Sequence, residues 1–512
     1  MVEHVQPIPD GVAVAPGLGV EAATSRLKRI TAWALPEALL FPVVALFVIA
    51  IVSALPDELQ SDSWFAIFGG HEIAQHGFHL RDGLTIWTQG QQWVDQQWLG
   101  QLFFYGLYAA GGVKLALLGH ALAASFAFGG AIVFARRRGA TVRSIGWLTP
   151  PTLFLLIWGS WNARAQSLAL GLFVAVVWLL IADSRARSRR VFLVLPLLVL
   201  WANVHGSAIT GAVLIVLAGL TYAFERRRQP RRQWLPRAAV LCTAPIACLF
   251  ASPYVLSLPG YYHRVLFNSA FRDYVIEWRP TSPSFQTSPF YLLAFVAVWL
   301  IGRRGDRVTR FEQVLLIATL LMGLQSLRGV IWFALAALMV IPTALDGLLR
   351  SNQAAGRFGL LNRALVAVSI AGVLTAFAAV ALKPASWFER DYPEAALAAV
   401  QRAEAAHPQV RVFANEQYSD WLLLRRPELQ GRLAFDIRFE SFSRRQVEQL
   451  VALRRQVEGS LRIVAPYGLF VLKKGPDTPL AKSLLREAGA RELYRGAGVI
   501  VIARVAKKDG TR

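Results

Sequence analysis

Eleven apolar stretches of roughly bilayer-spanning length follow one another along this chain, and clusters of arginine fall at every second boundary between them. A helix needs about 20 apolar residues to cross hydrocarbon, and no water-soluble core of this size accommodates so many such segments. The stretches are Pro36–Leu55, Val113–Ala135, Ile145–Ser160, Ser167–Ala182, Val191–Val204, Ser207–Phe224, Pro236–Ala251, Ser288–Gly302, Phe311–Gln325, Gly329–Ala344 and Ala364–Leu382. Several are short, so their ends must borrow flanking residues. Lysine and arginine are retained in cytoplasmic loops. With Arg26, Lys28 and Arg29 inside, the later clusters at Arg136–Arg143, Arg185–Arg190, Arg226–Arg237, Arg303–Arg310 and Arg350–Arg363 all fall inside as well, giving 24 Lys and Arg on that side against 6 in the opposite loops. The pattern predicts a polytopic α-helical protein of the cytoplasmic (inner) membrane, with about 11 crossings, the amino terminus cytoplasmic and the carboxyl terminus outside. Leu99–Gly111 is also apolar, but a crossing there would put Arg136–Arg138 on the wrong face; it reads as an interfacial or re-entrant helix.

The chain carries a net charge of +22. A nucleic-acid partner is not needed to explain it, because most of the excess lies in loops beside anionic headgroups. Cys242 and Cys248 share one apolar run, which argues against disulfides and thiol-ligated metals. Residues 1–30 read as a disordered cytoplasmic segment and the first run as an uncleaved anchor. The membrane part covers 31–384, and its longest outer loop covers 56–98. Residues 385–506 change to charged, mixed helix and strand patterns, predicting an extracytoplasmic α/β domain, with 507–512 a tail. Its expected helices are Tyr392–Ala406, Ser419–Arg425, Ser443–Val457 and Pro479–Ala488. Its expected strands are Val410–Ala414, Arg432–Phe435, Leu461–Ala465 and Leu469–Lys473, with a hairpin of Glu492–Tyr494 and Val499–Arg504. It has no glycine-rich phosphate loop, metal-spaced histidine pair or nucleophile elbow, so it does not read as an enzyme by itself.

Chemistry is therefore sought in the outer loops. Loop 56–98 is unusually rich in acids and tryptophans, including Asp57, Glu58, Asp62, Trp64, Asp82 and Asp95; later outer ends add Arg164, His205, Glu277 and Arg328. Ionisable groups at the hydrocarbon edge are costly unless paired or wetted, so their gathering on one side marks a site. Most have a structural alternative: Asp62 as a helix cap or partner of Arg81, Arg164 and Arg328 as anchors or partners of Glu277, His205 as a turn histidine, and Trp64 as an interfacial anchor. His71, His76 and His79 invite a zinc reading, but no carboxylate or cysteine completes a recognisable ligand spacing, so no metal site is expected there.

Several short motifs, in order and on one side, carry a resemblance: Asp62-Ser63-Trp64-Phe65, Ile73-Ala74-Gln75-His76-Gly77, Trp93-Val94-Asp95-Gln96-Gln97-Trp98-Leu99, Arg164-Ala165-Gln166, Trp201-Ala202-Asn203-Val204-His205-Gly206, Glu277-Trp278 and Phe435-Asp436-Ile437-Arg438. With the long first outer loop and the outer carboxyl-terminal region, the chain resembles the GT-C superfamily of polyprenyl-phosphate-dependent membrane glycosyltransferases, and more nearly a group of poorly characterised bacterial membrane proteins of the same layout. The nearer pattern has His-Glu before Trp98 and Arg-Pro-Gln at Arg164; Gln96-Gln97 and Arg-Ala-Gln stand here instead. The resemblance implies transfer of a sugar from a polyprenyl-phosphate-linked donor in the membrane lipid to an extracytoplasmic glycan, lipid or protein. It makes Asp62 the catalytic base, with Arg164, His205, Glu277, Arg328, Asp82, Asp95 and Trp64 as substrate-binding residues. No cofactor is required by it, and a divalent cation is compatible with it. A polysaccharide polymerase or ligase, or a transporter or scaffold, is the alternative.

Overall fold

The computed structural model describes residues 38–159, 162–348, 359–496 and 498–504. The segment 1–30 with its basic group, Trp161, Arg350, Arg357 and the tail 507–512 lie outside the described residues. Each of the eleven apolar runs holds a helix. In chain order the helices of the membrane part are α1 (Leu40–Glu58), α2 (Ser61–His76), α3 (Trp98–Arg137), α4 (Val142–Gly159), α5 (Gln166–Arg185), α6 (Val194–Val204), α7 (Ala208–Arg226), α8 (Arg231–Phe250), α9 (Leu258–Phe267), α10 (Ser288–Arg304), α11 (Arg310–Gln325), α12 (Val330–Asp346) and α13 (Gly359–Ala381). Seven of the described helices are long and apolar enough to cross a membrane: α1, α3, α5, α7, α8, α13, and α12 with its leading turn. The runs at α4, α6, α10 and α11 form shorter or less apolar helices.

The stretch Leu99–Gly111 is helical and forms the first part of α3, which leaves helical geometry at Gly111 and Gly112 before continuing. A second helix lies where the sequence reads as loop: α2 opens just after α1, where the Gln60 N–H donates to Ser63 Oγ at 3.1 Å, and it buries Trp64, Phe65, Ile67 and Phe68.

The two ends of the helix bundle differ in chemistry. At 20 residues, α5 is about 30 Å long, close to the hydrocarbon thickness; Arg164 precedes it and Arg185 ends it. At the Arg185 end two buried acids stitch the arginine clusters together. Glu312 takes Arg138 and Arg185, each at 2.7 Å, and Asp183 takes Arg187 at 3.2 Å together with Arg237. At the opposite end of the bundle lie Asp62, Arg164, His205, Glu277 and Arg328.

The carboxyl-terminal region has helices α14 (Glu394–Ala406), α15 (Glu416–Arg425), α16 (Arg444–Arg454) and α17 (Thr478–Leu484) and strands β1 (Val412–Ala414), β2 (Leu469–Lys473), β3 (Ala490–Arg495) and β4 (Val499–Arg504). The sheet order is β1-β2-β4-β3, parallel between β1 and β2 and antiparallel elsewhere. Two expected strands are absent. Around Leu433 the chain forms only isolated bridges, because it is shared between β1 and the outer loop: the Ala434 N–H donates to Val412 O at 2.8 Å, and the Ile86 and Trp87 N–H groups donate to Leu433 O and Ala434 O at 2.8 and 3.0 Å. Leu461–Ala465 is instead a 3₁₀ turn, Ser460–Val464, whose last carbonyls with those of Ala465 and Tyr467 are gathered by the Arg504 guanidinium. The hydrophobic core continues from the helices into this region without a break, through the Trp64–Tyr392 edge contact at 5.2 Å.

Candidate functional site at the Asp62 end of the bundle

Three close approaches bring the site residues together. The α1 terminus accepts a backbone hydrogen bond from Ala163 N–H to Glu58 O at 3.0 Å, which seats the segment before α5 beside α2. Gly100, near the start of α3, lies so close to this segment that a Cβ there would stand 2.7 Å from Ala165 Cβ and 2.8 Å from Val204 O; only glycine allows α3 to lie against both Arg164's neighbour and the end of α6. The 3₁₀ turns at Ile276–Trp278 and Leu327–Gly329 are tied by Leu327 N–H to Arg279 O at 3.2 Å and Thr281 N–H to Leu324 O at 3.1 Å.

Within this frame Arg164 Nη1 lies 3.2 Å from Asp62 Oδ2 and 3.4 Å from Glu277 Oε2, and Arg328 Nε lies 2.7 Å from the same Glu277 oxygen. Asn162 Nδ2 reaches Asp62 Oδ2 at 3.5 Å, and the Arg328 guanidinium lies over the Trp278 ring at 5.1 Å. Burial alone would raise the Glu277 carboxyl, but Arg164 and Arg328 outweigh it and hold Glu277 at about 2. His205 shows the converse: burial, with Arg328 and Arg164 adding to it, draws its imidazole down to about 3. His205 is therefore neutral. Its Nδ1 accepts from the Ser207 N–H at 3.1 Å, which assigns the ring proton to Nε2.

Four of the residues named from the sequence, Asp62, Arg164, Glu277 and Arg328, form one linked ion cluster, and His205 lies within its electrostatic reach. The other three do not join it. Trp64 is fully buried, edge-on to Tyr392, with no face open to a sugar. Asp82 is buried with Arg438 at 2.9 Å and accepts from the Leu84 N–H at 2.8 Å and from Thr88 Oγ1; Arg438, which also pairs with Asp436, stacks over Trp93 at 4.6 Å, so Asp82 holds the outer loop to the carboxyl-terminal region. Asp95 is buried, its Oδ2 lacks a hydrogen-bond partner among the described residues, and burial pushes its carboxyl up to about 7. The glutamine at the departure from the nearer pattern has a structural use: Gln96 Nε2 donates to Ala202 O at 2.8 Å. The two acids that end α1 are also engaged, Asp57 with Arg390 and Glu58 with His120 at 3.1 Å.

Sequence reading missed two features. Glu440, pushed up to about 7 by burial, helps line a cleft of about 410 Å³ with His263, Arg264, Asn268 and Arg444. Glu72 lies among His71, His76 and His79, supplying the carboxylate that the spacing did not reveal.

The fold is similar to that of ArnT. ArnT from Cupriavidus metallidurans, solved bound to undecaprenyl phosphate, superposes with a TM-score of 0.51 at 16% identity, over 93% of this chain and 99% of that one. The archaeal oligosaccharyltransferase AglB from Archaeoglobus fulgidus, in complex with an inhibitory peptide and a dolichol-phosphate, matches at 0.48 and 12% over 90% of this chain and 74% of its own. The arabinofuranosyltransferase AftD from Mycobacteria matches at 0.48 and 15%, over 91% of this chain and 40% of that one. No protein-family model and no curated protein sequence matches the chain.

Proposed function

We propose that this protein is a membrane glycosyltransferase that moves a sugar from a polyprenyl-phosphate-linked donor to an extracytoplasmic glycan, lipid or protein, across eleven crossings with the ion cluster on the outer side. The observation that carries the reading is the cluster itself: a carboxylate in the first turn of α2, held by an arginine that precedes one membrane helix and linked through Glu277 to a second arginine that precedes another. Phosphate is the leaving group, and guanidinium groups at the hydrocarbon edge are suited to its charge.

In this reading Asp62 takes the proton of the acceptor hydroxyl as the oxygen attacks the anomeric carbon. The bond to the phosphate oxygen breaks as the new glycosidic bond forms, and Arg164 and Arg328 hold the departing charge. Because His205 is neutral with its proton on Nε2, it donates a hydrogen bond there without adding charge. A divalent cation between Asp62 and Glu277 would have to displace Arg164 Nη1, which already supplies positive charge at that point, so no step is routed through one.

The test is Asp62→Asn in purified, lipid-reconstituted protein supplied with a panel of undecaprenyl-phosphate sugars. Asparagine keeps the shape and the contact to Arg164 but is not a base, so turnover is expected to fall by about 10²-fold or more with donor binding retained. Undiminished turnover in Asp62→Asn, with loss in Asp57→Asn or Glu58→Gln instead, contradicts the assignment.

A further inference from the structure

The other end of α2 carries a second constellation. Glu72 Oε2 lies 3.3 Å from His76 Nδ1 and 3.9 Å from His79 Nε2, and the three ligand atoms all lie within 4.8 Å of one another. A tetrahedral ion with bonds of about 2.0–2.2 Å separates its ligands by roughly 3.3–3.6 Å, so the set needs only small adjustment to close on one. The sequence builds this locally. Glu72 and His76 are one helical turn apart on the same face of α2. Gly77, at φ 77°, then reverses the chain in a conformation that side-chain-bearing residues rarely adopt, returning His79 to the same point.

Three further features favour a ligand over a simple ion pair. Gln430 from the carboxyl-terminal region donates to Glu72 Oε1 at 3.0 Å, orienting the carboxylate and leaving Oε2 toward the histidines. The His79 ring is stacked on Trp93 at 5.9 Å and 4°, and its buried Nε2 has no hydrogen-bond partner among the described residues. Glu72 is 3% exposed while His76 is 54% exposed, which gives an ion a path in from solvent.

We propose that Glu72, His76 and His79 bind one divalent transition-metal ion of the zinc class, through Glu72 Oε2, His76 Nδ1 and His79 Nε2, with the remaining position open to water. Two imidazoles and one carboxylate suit zinc, whereas magnesium and calcium take oxygen ligands. The site stands ten residues along α2 from Asp62, about 15 Å, and fastens the end of this helix to the outer loop and, through Gln430, to the carboxyl-terminal region. It does not depend on the transferase reading.

The experiment uses the full-length protein carrying a tag without histidines, stripped with a chelator and titrated with Zn²⁺ against a chromophoric competitor, with bound metal measured by mass spectrometry. One zinc per chain is expected, with a rise in thermal midpoint on loading. His76→Ala removes an exposed side chain and leaves the fold intact; it should weaken binding by at least 10-fold and remove the thermal shift. Gln430→Ala should weaken binding by 10- to 100-fold while sparing stoichiometry. Zinc content and affinity unchanged in His76→Ala and in His76→Ala/His79→Ala, or a parent protein that retains no zinc, overturns the proposal.

Discussion

Arg164 is contested by two carboxylates, Asp62 and Glu277, both through the same nitrogen, and Glu277 is in turn shared with Arg328. Such an arrangement keeps two guanidinium groups in place before any anion arrives; under the proposed function, an incoming phosphate exchanges with a carboxylate rather than entering an uncompensated positive pocket. The same two cations shape His205. Its folded value of about 3 lies below the ordinary 6.5, so the unfolded chain takes up the proton first as pH falls, and stability is lost progressively from about 6.5 toward 3. Glu277 is depressed instead to about 2, so its contribution is complete above about 4.5 and is lost only below that. Of these two groups, only His205 contributes a loss between pH 6.5 and 5. Thermal unfolding in detergent should therefore show His205→Gln less sensitive to acid than the parent across that interval, while the pH profile of turnover shows no ionisation of His205. A parent-to-variant difference in thermal midpoint that stays constant from pH 7 to 5 would contradict this reading.

Among the elements, the transmembrane helices were legible because an apolar run of helical length leaves the backbone few ways to satisfy its own polar groups in lipid. Helix α2 was not. Its apolar residues Trp64, Phe65, Ile67 and Phe68 form no simple stripe, and Asp62, His71, Glu72 and His76 gave the segment the look of a polar loop. The charged residues of the site were legible by type and side, but their grouping depends on turns that bring residues more than a hundred positions apart together, and composition does not encode that. The same holds for the residues outside the cluster: Asp82, Asp95 and Trp64 share the loop's sequence character yet are buried between the outer loop and the carboxyl-terminal region. The spacing of the histidines does not encode the reversal at Gly77 that returns His79 to Glu72. The burial of Asp95 offers a test. Its folded value of about 7 is above the ordinary carboxylate range, so the folded state keeps the proton that the unfolded chain releases, and stability falls as pH rises from about 4 to 7. Asp95→Asn should abolish that fall and stabilise the protein by about 1–3 kcal/mol at pH 8, with little effect at pH 4. Equal effects at both pH values in thermal or denaturant unfolding would show that the carboxyl is not held neutral by burial.

Over the whole molecule, α5 separates an arginine-rich end, neutralised in part by Glu312 and Asp183, from an end where two arginines and two acids form the candidate site. Retention of positive charge in the cytoplasm predicts the sidedness. In a background lacking Cys242 and Cys248, cysteines replacing Gln89 and Ser441 should react with an impermeant thiol reagent in intact cells, and one replacing Ser188 only after permeabilisation; labelling of the Ser188 position from outside would invert the topology. Under the proposed function a polyprenyl phosphate is received at the Asp62–Arg164–Glu277–Arg328 cluster. The most direct measurement is photocrosslinking of the reconstituted protein with an undecaprenyl phosphate probe reactive next to the phosphate, with the labelled peptides mapped by mass spectrometry. Labelling is expected in peptides containing Arg164, Glu277 or Arg328, displaced by undecaprenyl phosphate and reduced about 10-fold or more in Arg164→Lys, which keeps the charge but loses the planar fork. Labelling confined to the arginine clusters at 136–143 and 185–190, or labelling at the cluster that is unchanged in Arg164→Lys, would contradict it.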